Sequence, residues 1–311
     1  MRLLLFVAVL LVTGCQTAAS SARPVPRVVL LHSNTGALVG MIHLEPGRAP
    51  ALWPLQTIGG VEVTRAFPFR SDRAGEAHDH PHHRSMWAAH GDVNGVDFWH
   101  GEGRIEHDAV RDGMRLVSGG QWIEGRWLDG QGRAMLRSRT SFHAFDVEGV
   151  RSVSMQVILE AIDRPVVFGD TKEGTMALRL APHLRLTGAV ATGTLANSVG
   201  VSGAGVWGKD AKWIEVTGQV DGHAVQLKFL SMMYVEPTGG PWPPLKVIPQ
   251  PVRWHARPYG LIAANPFGER AFVGSGAAVK ATRLEVGERL VMALLVELRD
   301  GQGSRDEQSN R

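Results

Sequence analysis

From Val28 onwards apolar and polar residues alternate with a period of two, and turn-forming residues interrupt the alternation repeatedly. That pattern predicts antiparallel strands rather than helices. It is clearest over Ile214 to Leu230. Ile214, Val216 and Val220 share one face, Glu215, Thr217 and Gln219 the other, and Val225, Leu227 and Phe229 resume the apolar face after Asp221-Gly222. An Asp-Gly pair between two such runs predicts a two-residue hairpin turn. Weaker alternation predicts strands over Met114 to Leu128, Ala134 to Phe145, Val150 to Ile162, Met176 to Leu186 and Arg289 to Arg299, and one helical turn is expected around Arg84 to His90. Sheets with one apolar face must stack or close to bury it. The expected fold is therefore all-β, an antiparallel β-sandwich or supersandwich with few short helices, forming a single domain over residues 28–299 with a disordered tail over 300–311.

The first residues follow different rules. Arg2 precedes an apolar run from Leu3 to Val12, which ends in Val12-Thr13-Gly14-Cys15. The run is too short to cross a hydrocarbon layer of ~30 Å. It resembles a bacterial lipoprotein signal, residues 1–15, with Cys15 in a lipobox. Cys15 is the only cysteine of the chain, so a structural disulfide is excluded and lipidation is the expected role of this residue. Gln16 after Cys15 favours an outer-membrane or periplasm-facing lipoprotein, and residues 16–27, with Pro24 and Pro26, read as a flexible tether. The membrane is expected to be a partner only through this lipid.

Composition narrows the function. With 33 basic against 30 acidic residues and no run of consecutive Lys or Arg, the chain lacks the electrostatic footprint of a nucleic-acid binder. Histidine, by contrast, is concentrated: seven of the 13 (His78, His80, His82, His83, His90, His100 and His107) lie in one short stretch. Pro81 disfavours helix at His80, so His78, His80 and His82 are expected on one side of an extended segment and His83 on the other. Three readings stand side by side. His80 and His82 share a divalent metal with Asp79, Asp92 or Asp97 near it; or the imidazoles exchange protons with sugar hydroxyls in a metal-free pocket; or the stretch is a solvated loop.

Other turns add candidates. Asp92, Asn94 and Asp97 precede Trp99, whose flat face beside hydrogen-bonding groups suits a pyranose ring, although a core position is the commoner fate of such a Trp. In Asp170-Thr171-Lys172-Glu173-Gly174, Glu173 is the best-placed general base, with Lys172 as a tuning neighbour. A passage with seven prolines, Glu236 to Pro258, contains Trp254, His255 and Arg257. It is expected to form either a stiff wall over the pocket, with Arg257 free to hold a carboxylate or polarised oxygen, or a structural crossover. Asn265-Pro266-Phe267-Gly268 follows.

These blocks together (Asp79 to Arg84, His90 to Trp99, Asp170 to Gly174, Asn197-Ser198, Trp207 with Trp213, and Asn265 to Gly268) carry a resemblance. The chain resembles, from about Val28 to Arg299, a bacterial domain family of unknown function that has carried the label "methane oxygenase PmoA". The label does not suit the chain, because a methane monooxygenase subunit is a bundle of membrane helices and none is expected here. The resemblance implies a fold similar to the galactose-mutarotase supersandwich and a small-molecule carbohydrate as partner. Ser231 to Glu236 departs from the family pattern, which puts a histidine role there in doubt. Two functions follow. One is a lipid-anchored enzyme of epimerase, lyase or hydrolase type, with Glu173 as base and His83, His90 or His255 as acid. Asp79, His80, His82, Arg84, Asp92, Asn94, Asp97, Trp99, Asp170, Lys172, Arg257 and Asn265 would bind the substrate. The other is a non-catalytic glycan-binding or structural surface lipoprotein.

Overall fold

A computed structural model describes residues 25–112, 121–236 and 252–301. Cys15, nearly all of the tether, the beginning of the strand expected from Met114, the run 237–251 and residues 302–311 lie outside them. Eighteen strands are present among the described residues. In chain order they are β1 (Val28–His32), β2 (Leu38–His43), β3 (Ala51–Trp53), β4 (Met86–His90), β5 (Arg104–Asp112), β6 (Gln121–Leu128), β7 (Ala134–Val147), β8 (Val150–Ala161) and β9 (Val166–Phe168). Then follow β10 (Gly174–Arg179), β11 (Thr194–Asn197), β12 (Asp210–Ala211), β13 (Trp213–Val220), β14 (His223–Glu236), β15 (Val252–Arg257), β16 (Leu261–Asn265), β17 (Thr282–Leu284) and β18 (Arg289–Asp300). The helical content is one short helix, α1 (Arg270–Val273), and two 3-10 turns, Pro182–Leu184 and Gly203–Val206.

Two antiparallel sheets of eight strands dominate, in the orders β1-β2-β3-β4-β10-β16-β15-β12 and β11-β13-β14-β18-β8-β7-β6-β5. The all-β sandwich expected from the sequence is the observed architecture. The second sheet behaves as its alternation predicts: along β8 and β18 every other side chain is buried, and Val153, Met155, Val157, Leu294, Val296 and Leu298 enter the core. The Asp221-Gly222 turn joins β13 to β14 with both residues at positive φ, 51° and 83°, the geometry that Asp-Gly supplies at low cost.

The first sheet follows a different rule. β3, β4, β10 and β16 are buried at every position, so their sequences lack alternation. This corrects two expectations. Met86 to His90 is a central strand and not a helical turn, and the strand expected over Met176 to Leu186 stops at Arg179 and gives way to the Pro182–Leu184 turn. Val252 to Arg257, the end of the proline-rich passage expected as a stiff wall or a structural crossover, is regular strand. β18 reaches Asp300, whose carboxylate accepts from Thr57 Oγ1 (2.5 Å) and Gly59 N (2.9 Å), so ordered chain continues to the residue where the tail was expected to begin.

Candidate active site

Register across the first sheet decides what can meet. His255 lies opposite Ala263, Ala263 opposite Ala177, and Ala177 opposite Trp87, so these four share one face. Arg257, Leu261 and Arg179 form the adjacent row on that face. The opposite face carries Trp254, Ala264, Met176 and Ala88 in one row and Ala256, Ile262, Leu178 and Met86 in the next, and joins the apolar core. The small residues Ala177 and Ala263 form a floor between the larger groups.

At one end of this face Glu173 precedes β10. Its carbonyl accepts from Gly91 N at 2.7 Å, which extends the β4–β10 ladder and fixes the glutamate backbone. The Glu173 side chain is 18% exposed, pairs with Lys172, and brings Oε2 to 3.9 Å from Nδ1 of His255, which is 3% exposed. That gap is too long for a hydrogen bond. Nδ1 of His255 is buried and has no hydrogen-bond partner among the described residues. Burial lowers the His255 pKa to about 4, against the raising influence of Glu173. Near pH 7 the ring is therefore neutral.

A second wall comes from the histidine-rich segment. Arg65, only 2% exposed, reaches into it: Nη1 donates to Ala77 O, Asp79 O and Asp79 Oδ1, and Nη2 to His80 O and His83 O, at 2.7–3.2 Å. Arg179, 1% exposed, donates to Asp79 Oδ1 (3.0 Å) and His83 Nδ1 (3.0 Å). Burial opposes ionisation of Asp79, but Arg179, His80 and Arg65 outweigh it and hold the carboxyl below its ordinary range. Burial draws Arg65 down to about 10, with repulsion from Arg179 adding to it. His80 takes φ 45°, and its ring stacks on His83 (4.7 Å) and Tyr259 (5.3 Å), while His82 stands edge-on to His83 (4.5 Å) and His100 (4.7 Å). The expected split of His78, His80 and His82 from His83 therefore fails. The left-handed residue breaks the extended run, and His78 stacks apart on Phe67.

Glu173 raises the pKa of His82 by its field, although burial dominates and leaves that ring neutral, lowered to about 4. Tyr259 carries Arg179 over its ring at 4.4 Å and Arg257 at 5.8 Å, and Arg257 lies 5.9 Å from the Trp207 ring. Glu173, Lys172, His255, His82, Tyr259 and Arg257 thus surround one region. Arg65 and Arg179 were missed in the sequence. Arg179 leaves a signal there, a lone charge within the apolar run Met176 to Leu180 that requires a buried partner.

Several expected site residues have other work. His90 is fully buried on the core face, its Nε2 on Gly169 O (2.9 Å) and its ring against Phe168 and Phe267, so it is on the wrong side of the sheet to act with Glu173. His83 is buried, with Nδ1 committed to Arg179 and its pKa pushed far down by burial, which removes it as an acid. Trp99 is 1% exposed and packs on Trp87, leaving no face for a sugar. Arg84 is buried on Ala49 O and Glu45. Asp92 and Asp97 cap their own turn, at Gly95 N and at His100, and Asn94 bonds Pro165 O and Val167 N. Asp170 accepts from the amides of Glu269, Arg270, Ala271 and Lys280, and Asn265 ties Thr171 O to Phe267 N and Gly268 N. These two hold the loops that frame the site.

The rings of His80 and His82 are 5.7 Å apart and edge-on, and His80 Nδ1 is on Asp79 Oδ2 at 2.8 Å. Among the described residues no group of three His, Cys, Asp or Glu is arranged to hold a metal ion. A cavity of about 20 Å³, room for one water, lies beneath His82 between Arg84, Trp87 and Trp99. A larger groove of about 390 Å³, lined by Leu186, Leu195, Gly203 and Pro258 among others, has no titratable side chain.

The profile of one protein family, described as "Family of unknown function (DUF6807)", matches residues 42–310. The chain belongs to this family. Within solved structures this DUF6807 member is similar to the galactosidase domain of the alpha-galactosidase-sucrose kinase AgaSK, at 8% identity and a TM-score of 0.39, over 88% of its own length. It is also similar to the GH36 alpha-galactosidase AgaA A355E D478A from Geobacillus stearothermophilus in complex with stachyose, at 13% identity, 88% of its length and a TM-score of 0.33. The chain spans 41% and 40% of those two chains, and neither carries a residue or ligand over to it. No curated protein matches it.

Proposed function

We propose that this DUF6807 chain is a carbohydrate-active enzyme that transfers a proton at a sugar carbon or hydroxyl, of epimerase, lyase or hydrolase type. The observation that carries this reading is the facing of Glu173 Oε2 and His255 Nδ1 across 3.9 Å, a carboxylate and an unpartnered buried imidazole nitrogen with no hydrogen bond between them. A substrate O–H or C–H placed against this pair meets a carboxylate and an imidazole together, and apo contacts of this kind rearrange when substrate binds. Glu173, the more exposed of the two, takes the substrate proton. His255, neutral near pH 7 because burial lowers its pKa, receives a proton from a hydroxyl and returns it. Lys172 and the Tyr259 hydroxyl supply hydrogen bonds to ring oxygens. On the sequence, the protein is exported and anchored by lipid on Cys15, in the outer membrane or facing the periplasm.

The test is to incubate the purified full-length chain with mono- and disaccharides, including 3-keto sugars, in D₂O and to follow anomeric and ring protons by NMR. Loss of a proton signal or a new anomeric signal is expected. Glu173→Gln should lower that rate by roughly 10²–10⁴-fold. Unchanged turnover in the variant removes Glu173 from the mechanism, and binding without chemical change favours a non-catalytic glycan-binding lipoprotein.

A further inference from the structure

Charge around the site does not balance. Asp79 is shared between Arg65 and Arg179, and Glu173 pairs with Lys172. Arg257 has no carboxylate partner among the described residues, and the neighbouring run 237–251 contains no Asp or Glu. Its guanidinium lies between the rings of Trp207 and Tyr259, with Nε buried and without a hydrogen bond, and Trp207 Nε1 is buried and unpartnered in the same way. Arginine and the indole N–H only donate, so Arg257 Nε and Trp207 Nε1 are two donors without an acceptor among the described residues, while the guanidinium also reaches the Tyr259 hydroxyl. A buried, unsatisfied donor is costly.

Position adds to this. Arg257 and His255 are two residues apart on β15 and project from one face, about 7 Å apart along the strand. One hexopyranose spans that separation, with its ring beside Glu173 and His255 and a substituent at Arg257. A planar carboxylate is the group that matches the guanidinium fork in two parallel hydrogen bonds.

We propose that the substrate is a uronate, a sugar with a carboxylate on its ring, and that Arg257 binds the carboxylate with the Trp207 N–H beside it. The assignment rests on the Glu173–His255 reading for the orientation of the ring. Quenching of tryptophan fluorescence in the full-length chain, titrated with D-glucuronate and D-galacturonate against D-glucose and D-galactose, tests it. Each uronate should bind at least tenfold more tightly than its parent sugar. Arg257→Gln should bring the ratio near one, and Arg257→Lys, which keeps the charge but loses the fork, should restore part of it. Equal affinities for uronate and parent overturn the carboxylate assignment while leaving the Glu173–His255 pair as it stands, to be judged by turnover. A preference that survives in Arg257→Gln overturns the role of Arg257. Binding of none of the four sugars overturns the inference, and counts against the carbohydrate reading with it.

Discussion

Arg179 Nη1 donates to His83 Nδ1 at 3.0 Å, and this contact assigns the tautomer of an imidazole that never reaches solvent. Since arginine has no lone pair to offer, Nδ1 must accept, and the neutral ring carries its proton on Nε2. The same guanidinium grips Asp79, so the histidine-rich segment is fastened to β10 by one side chain. Arg179→Met should leave Asp79 paired with Arg65 alone and His83 Nδ1 without its donor. The expected loss is about 1–3 kcal/mol, the cost of an unsatisfied buried polar group. Urea denaturation measures it, and a loss below about 1 kcal/mol would show the fastening to be unimportant.

Acid should weaken the fold in a definite window. Burial lowers His82, His90 and His255 to about 4 and His83 further, whereas the unfolded chain titrates near 6.5. Below pH ~6.5 the unfolded state therefore binds more protons than the folded one, and stability falls as pH drops towards 4. Above pH ~7 these four groups contribute no slope. Melting temperatures recorded from pH 8 to pH 4 should decline through that interval, and a flat profile contradicts the burial assigned to these rings.

Activity should follow His255 on the same axis. The neutral imidazole is the functional form, so turnover is expected to be level near pH 7 and to fall on approach to pH 4 as the ring is protonated. A descending limb centred near 6.5 would place the titrating histidine in an exposed position instead.

Gly91 offers a way to move the glutamate without touching it. A Cβ there would come within 2.8 Å of Glu173 Cβ and 3.1 Å of its carbonyl oxygen. Gly91→Ala is expected to displace Glu173 by a few tenths of an ångström and to lower kcat roughly tenfold or more. The comparison of kcat with the melting temperature decides, since a purely structural effect would lower both together.

Cys15→Ser should release the protein from the membrane fraction and abolish incorporation of labelled palmitate. Retention in membranes after this change would refute lipid anchoring at Cys15.

The sequence exposed one sheet much better than the other, for a physical reason. β8, β13 and β18 pack on one side only, so their pattern is readable residue by residue, and Asp221-Gly222 announces its turn by chemistry. β4 and β10 are covered on both sides, and their uninterrupted apolar runs resemble a helix segment as readily as a strand. Glu173, Lys172, His255 and Arg257 were legible as candidates because acid, cation and imidazole stand out in turn-rich sequence. That Glu173 meets His255, and that His90 does not, depends on register across β4, β10, β16 and β15, which no single segment encodes. The His80 backbone conformation, which redirects its neighbours, was hidden for the same reason.

Glu173 and His255 stand at either side of β16, separated by two hydrogen-bonded strand spacings of about 4.8 Å each. Glu173, however, lies in the bend just before β10, braced through Asp170 and Asn265, whereas His255 is held inside β15. Glu173→Asp would draw the oxygen back by one methylene. Adaptation to a different substrate would come from that bend and from the walls at His80, Arg257 or Trp207, while the imidazole stays where its strand puts it.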